Sequence, residues 1–285
     1  MSIVYALCYL LSFLPLSLLY CLSDLCYIIV YYLIRYRKKV VVQNLMHAFP
    51  TKTVHERKQI EKRFYRSLCD LLLEQIKACT ITSQQLLQHI TLEDIEAIEQ
   101  FYKRNRSIIL VSGHFGNWEW AANLLALQTS YTIHAGYQPL HHKGIDRMAL
   151  HIRSRFQRKA MPMVSLFRHL TTYKGPPQAT TLLIDQAPLH KRNSCNTTFL
   201  AQPTTVTLTA AKLAQKYNHP IFYIQTERSK RGKYRVRPIL LAETPAQLPV
   251  QEIAERYTKK LEADILRNPD CWLWSHRRWK KKHFQ

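Results

Sequence analysis

The chain opens on an apolar run, SIVYALCYLLSFLPLSLLYCLSDLCYIIVYYLI from Ser2 to Ile34, in which Asp24 is the only ionised side chain. About 20 apolar residues suffice to cross the hydrocarbon core of a bilayer, so the run is long enough for a membrane helix. A secretory signal peptide would begin with positive charge, which is missing here, and a buried core helix is rarely so uniformly apolar. Pro15 leaves two topologies open: a tilted span kinked near the proline, or a helix that enters the bilayer and lies partly in its interface. The first cations are Arg35, Arg37, Lys38 and Lys39. By the positive-inside tendency they keep the downstream chain on the cytoplasmic side, and the same cluster favours an anionic membrane surface. The sequence thus divides into an N-terminal membrane anchor, 1–34, and a single domain, 35–285.

That domain is strongly basic. The 285 residues hold 41 Lys and Arg against 19 Asp and Glu, a formal net charge of +22, and no Lys or Arg precedes Arg35. Charge of this size attracts anionic partners and is not needed for folding. Phospholipid headgroups, phosphorylated substrates, an acidic carrier protein and nucleic acid all satisfy it. The sequence carries no helix-turn-helix, RNA-recognition or zinc-finger pattern, and an apolar N-terminus suits a nucleic-acid-binding protein poorly. The seven cysteines form no CxxC pair, which argues for reduced thiols over a disulfide framework or a zinc site. The pair His141 and His142, without further ligands, reads as solvent-facing.

Residues 53–79 place Ile60, Phe64, Leu68, Leu71, Leu72 and Ile76 at three- and four-residue steps, which predicts an amphipathic helix. Shorter helices are predicted at 93–104, 118–128, 144–159, 204–217 and 250–266. Between them, short apolar runs at 107–112, 131–136, 180–185, 221–226 and 233–240 read as strands. Strands alternating with helices imply an α/β fold, a central mixed sheet flanked by helices.

The segment SGHFGNWEW at 112–120 falls where a predicted strand ends and a helix begins, the usual place for chemistry in an open α/β sheet. On a continuous helix, His114 and Glu119 would point about 140° apart. A tight turn at Gly113 and Gly116, with Asn117 capping the next helix, instead lets Glu119 fold back toward His114. A neutral imidazole so placed takes the proton of an attacking alcohol, while a carboxylate on its other nitrogen fixes the tautomer. The N–H groups of the same turn are candidate donors to the oxyanion of an acyl intermediate. From the spacing alone, a structurally satisfied histidine is the more frequent account.

The wider wording changes that balance. NLMHAFP at 44–50, HFGNWEW at 114–120, YQP at 137–139 with ID at 145–146 and RSR at 153–155, LLIDQ at 182–186, FLAQPTTVTLTAAKLA at 199–214 and NPDCWLWSHRRWK at 268–280 follow in one order along most of the chain. Together they resemble the lipid A late acyltransferases (lauroyl/myristoyl acyltransferases) of the lysophospholipid acyltransferase superfamily, whose signature is H-x4-D/E. The resemblance implies a glycerolphosphate-acyltransferase-like fold. It also implies transfer of a fatty acyl chain from an acyl carrier protein thioester to a hydroxyl of a lipid A precursor, at the cytoplasmic face of the inner membrane, with no cofactor, no metal and no nucleic-acid partner. Other acceptors, such as a lysophospholipid, a glycolipid or an aminolipid, are the nearest alternative, and a basic nucleic-acid-binding protein is the distant one.

Carried over to this chain, the resemblance makes His114 the general base and Glu119 its orienting carboxylate. Arg153 matches an active-site arginine, and Asp185 and Gln186 match a DQ pair that is either structural or substrate-positioning. Gly116 and Asn117 would lie against the substrate. Two departures, Ala201 where the family commonly has Gly and the glycine-free stretch 157–163, bear on which acyl chain and acceptor are used. In the C-terminal WLWSHRRWK, Trp272 and Trp274 read as packing residues, while Arg277, Arg278 and Lys280 suit contact with anionic groups because arginine forks onto phosphate.

Overall fold

The computed structural model describes residues 3–139, 142–188 and 191–279; the first residues of the apolar run, His141 and Lys280 lie outside them. A mixed sheet is formed by β1 (Ile90–Leu92), β2 (Ile108–Ser112), β3 (Thr132–Tyr137), β4 (Lys159–Pro162), β5 (Gln178–Leu183), and, after the separate hairpin β6 (Ser194–Phe199) and β7 (Gln202–Thr207), by β8 (Ile221–Lys230) and β9 (Lys233–Ala242). Its order is β1-β9-β8-β2-β5-β3-β4, antiparallel between β8 and β9 and parallel elsewhere. The centre of the sheet is β2, and Ile108 to Val111 are all buried, as a strand covered on both faces requires.

Helices cover the sheet. They are α1 (Ile3–Leu11), α2 (Leu16–Ile28), α3 (Lys38–Ala48), α4 (Val54–Lys77), α5 (Ser83–His89), α6 (Glu96–Lys103), α7 (Trp118–Gln128), α8 (Lys143–Arg153), α9 (Met163–Thr172), α10 (Thr209–Tyr217) and α11 (Val250–Arg267). The amphipathic helix expected at 53–79 is α4, started by a Thr53/Glu56 capping box and burying Ile60, Phe64 and Leu68. The helix expected over 144–159 is shorter, ending at Arg153; left-handed backbone at Phe156 and Gln157 (φ 52° and 65°) then keeps helix from resuming, and Lys159–Pro162 pairs with β3 at the sheet edge. The helix expected from 204 begins only at Thr209, because the β-branched TTV of 204–206 pairs with β6.

Leu16–Ile34 is continuous helix, its last turn π-helical, and is apolar and long enough to cross a membrane at a mean hydropathy of 1.7. It does not stand apart from the domain. Leu19, Ser23, Tyr27 and Tyr31 are buried, whereas Leu18, Leu25, Ile28 and Leu33 on other faces are exposed. The break at Ser12–Pro15 leaves carbonyls without helical partners, and α4 supplies them: Lys77 Nζ donates to the carbonyls of Ser12 and Leu14, both at 3.0 Å. Asp24 is paired with Arg231 of the β8–β9 turn at 2.8 Å, and Arg231 also reaches Asp70 of α4.

Candidate active site

Parallel register explains how the site assembles. Ser112 of β2 pairs with Leu183 of β5, so His114 and Asp185, each two residues further on, leave the sheet side by side. His114 Nδ1 lies 2.7 Å from Asp185 Oδ1, and the His114 backbone N–H donates to Oδ2 at 3.0 Å. The indole Nε1 of Trp272 donates to the same Oδ2 at 2.8 Å. Burial disfavours the Asp185 carboxylate, yet the His114 ring and these hydrogen bonds outweigh it and hold its pKa at about 2. An ionised carboxylate only accepts, so Nδ1 carries a proton, and in the neutral ring the lone pair is on Nε2.

Glu119, expected on that ring nitrogen, is elsewhere. It sits in the first turn of α7, where Arg153 Nη2 approaches Oε1 at 2.7 Å and Arg158 Nη2 approaches Oε2 at 3.1 Å. Burial works against its charge, but Arg158 and Arg153 outweigh burial and keep its pKa below the ordinary carboxylate value. The physical reason for the difference is competition: two guanidiniums from the α8 region claim both Glu119 oxygens, and the parallel strand neighbour brings a different carboxylate to His114. Arg158 was not anticipated. It is 5% exposed and also donates to Asn123 Oδ1 at 2.6 Å.

His114 faces a narrow pocket walled by Phe64, Leu68, Leu71, Trp118 and Trp272, with Ser67, Arg228, Tyr234 and Asp270 among its polar members. The Trp118 ring stands edge-on to the imidazole, 4.9 Å between centroids. Trp118 also borders a second pocket, where Glu119, Arg153, Arg158 and Ser112 meet an apolar lining that includes Leu110, Leu125, Leu182 and Ile224. The two pockets therefore share a wall.

The remaining expected site residues separate into groups. Asn117 caps α7, accepting from Trp120 N–H at 3.0 Å, and is fully buried with Nδ2 donating to Glu74 at 2.8 Å. It supports the site from behind and is closed to a substrate. Gly116 has φ +59°, and a Cβ there would come within 3.2 Å of the Thr226 carbonyl oxygen. Gly116→Ala is therefore expected to cost about 1–2 kcal/mol in thermal unfolding, and an unaltered transition would contradict this account of the turn. The amide of Gly116 donates to the Cys271 carbonyl at 3.0 Å. With the His114 amide on Asp185, two of the turn's expected oxyanion donors are thus already engaged. Gln186 is exposed next to Asp185.

Trp272 and Trp274 are buried as expected. Arg278, expected to contact anionic groups, is 2% exposed, because its guanidinium turns inward to Thr204 Oγ1 at 2.9 Å and the Thr205 carbonyl at 2.6 Å. Burial pushes its pKa down to about 10, against an opposing pull from Asp185. Arg277 remains exposed and lies with the cations that come after the apolar helix.

Residues 1–281 match the family described as bacterial lipid A biosynthesis acyltransferase. Among characterised proteins, the chain is similar to the lipid A biosynthesis palmitoleoyltransferase of Escherichia coli (strain K12) and to the lipid A biosynthesis acyltransferase of Shigella flexneri. Each is 22% identical over 247 residues, which cover 86% of this chain and 79% of the relative.

Proposed function

The chain belongs to the bacterial lipid A biosynthesis acyltransferase family, and from that membership and the site geometry we propose that it moves a fatty acyl chain from acyl carrier protein to a hydroxyl of a lipid A precursor. In this reading His114 Nε2 takes the proton of the acceptor hydroxyl as its oxygen attacks the thioester carbonyl. The tetrahedral intermediate then collapses, expelling the carrier thiolate, which recovers the proton from the imidazolium. Asp185 holds the ring and stabilises the imidazolium, and no cofactor is needed. Glu119 keeps its place in the machinery through Arg153 and Arg158, fixing them in the lining of the second pocket. The 2.7 Å contact between His114 Nδ1 and Asp185 beside an open apolar pocket carries the proposal.

We further assign residues 1–34 to anchoring in the inner membrane, with the acyltransferase domain of 35–285 on the cytoplasmic face. The apolar helix Leu16–Ile34, followed at once by four cations, supports this assignment. The test is to incubate the full chain in detergent with acyl carrier protein thioesters and a lipid A precursor. Gain of one acyl mass on the acceptor is expected, with lysophospholipid, glycolipid and aminolipid acceptors unchanged. Acylation of one of those acceptors alone would reassign the substrate, and no acylated lipid alcohol at all would end the proposal.

A further inference from the structure

Five cations, Arg35, Arg37, Lys38, Lys39 and Arg277, line one concavity at the end of the apolar helix, and it shares no lining residue with either pocket of the active site. We propose that this concavity binds the headgroup of an anionic phospholipid in the surrounding membrane.

Three observations carry the inference. The first is uncompensated charge: among the described residues, only Lys38 of the five has a carboxylate partner, Glu61 at 3.6 Å. Such convergence of like charge is unfavourable unless an anion enters it. The second is the backbone. Arg35 and Arg37 both adopt left-handed conformations, φ 54° and 49°, which residues bearing a side chain rarely take. The strained corner delivers both guanidiniums and the first turn of α3 to one place. That turn has no acidic residue and no side-chain cap, and its residues Lys38 and Lys39 add positive charge to the positive end of the helix dipole. The C-terminal segment is pinned across the corner, with Arg37 donating to the Ser275 carbonyl at 3.1 Å and Asn44 Nδ2 to the Trp274 and His276 carbonyls at 2.8 and 2.9 Å. Arg277 is brought in by that segment.

The third observation identifies the occupant. Leu33 and Ile34, 73% and 65% exposed, immediately precede the cations, and Tyr32 and Tyr36 are exposed beside them. Apolar chain, interfacial tyrosines and cations in that succession match the profile from acyl chain to headgroup. A free phosphate or an acidic protein would use the charge but not the adjoining apolar surface.

The inference rests on the membrane location proposed above. Its test uses the full chain in neutral detergent micelles, with native mass spectrometry reading retention of added phosphatidylglycerol or phosphatidylcholine. Wild type is expected to retain phosphatidylglycerol at about tenfold lower concentration. Arg35→Gln/Lys39→Gln/Arg277→Gln, which changes only exposed side chains, is expected to lose that preference, and the same positions exchanged to retain charge (Arg35→Lys/Lys39→Arg/Arg277→Lys) to keep it. Equal retention of the two lipids by wild type, or an undiminished preference in the neutralised variant, overturns the inference alone. Retention of neither overturns it together with the membrane location. Displacement of phosphatidylglycerol by inorganic phosphate or by acyl carrier protein at matched concentration would assign the concavity to that anion and overturn the lipid.

Discussion

Asp185→Asn is expected to lower kcat for acyl transfer by about 10²–10⁴, the range seen when a catalytic histidine loses its acid–base function or its orienting carboxylate. The loss follows from donor counting. Asp185 Oδ2 accepts from both the His114 amide and Trp272, so an asparagine keeps its carbonyl oxygen there and turns its NH2 toward His114 Nδ1. That inverts the imidazole tautomer and places a proton on Nε2, the atom that the proposed mechanism needs unprotonated. His114→Ala should fall within the same range. Single-turnover rates with a saturating thioester decide it, and an Asp185→Asn enzyme within about threefold of wild type would remove Asp185 from the mechanism. Stability has its own pH signature. The native pKa of about 2 lies below the unfolded value of ~3.9, so the contribution of Asp185 is complete above ~3.9 and is lost as pH falls toward about 2. The stability gap between wild type and Asp185→Asn should narrow across that window.

Glu119→Ala is expected to act first on the fold, destabilising it by about 3–5 kcal/mol, because it strands the guanidinium of Arg158 inside the protein. Arg158 is 5% exposed and Glu119 7%, so water cannot replace the missing partner. Arg153, with a side chain 20% exposed, has a route to solvent that Arg158 lacks. The double variant Glu119→Leu/Arg158→Met, which removes both charges and keeps the volume, should recover most of the loss. Thermal unfolding of the three proteins measures it. A Glu119→Ala variant as stable as wild type would show that the buried pair contributes little to the fold.

The α/β class was legible because buried parallel strands are short apolar runs that ordinary turn residues punctuate, and the predicted runs at 107–112, 131–136 and 180–185 lie within two residues of β2, β3 and β5. The edge strand Lys159–Pro162 and Ser194–Phe199 of the separate hairpin were not, since they are half-exposed and carry no apolar run. At the site, His114 could be picked out locally, but its carboxylate partner could not. Position five along the chain is visible as a spacing, whereas Asp185 is 71 residues away and is joined to His114 only through strand register. The signal that existed was positional: both residues stand two places beyond the end of a central strand. Arg158 left no trace of that kind, because it follows left-handed backbone at Phe156 and Gln157, beyond the end of α8 at Arg153, and no periodicity encodes that.

Glu74 is buried at the junction of three elements, accepting from Tyr20 of the apolar helix at 2.8 Å, Asn117 of the His114 turn at 2.8 Å and Tyr234 of β9 at 2.7 Å. Its burial raises its pKa, against the opposing pull of those donors and of the Arg228 guanidinium. The apolar residues one would cut away to test the proposed anchor therefore include a tenant of the wall directly behind the His114 turn. Engineering a form without them begins with a substitute for the Tyr20 hydroxyl, not with a deletion.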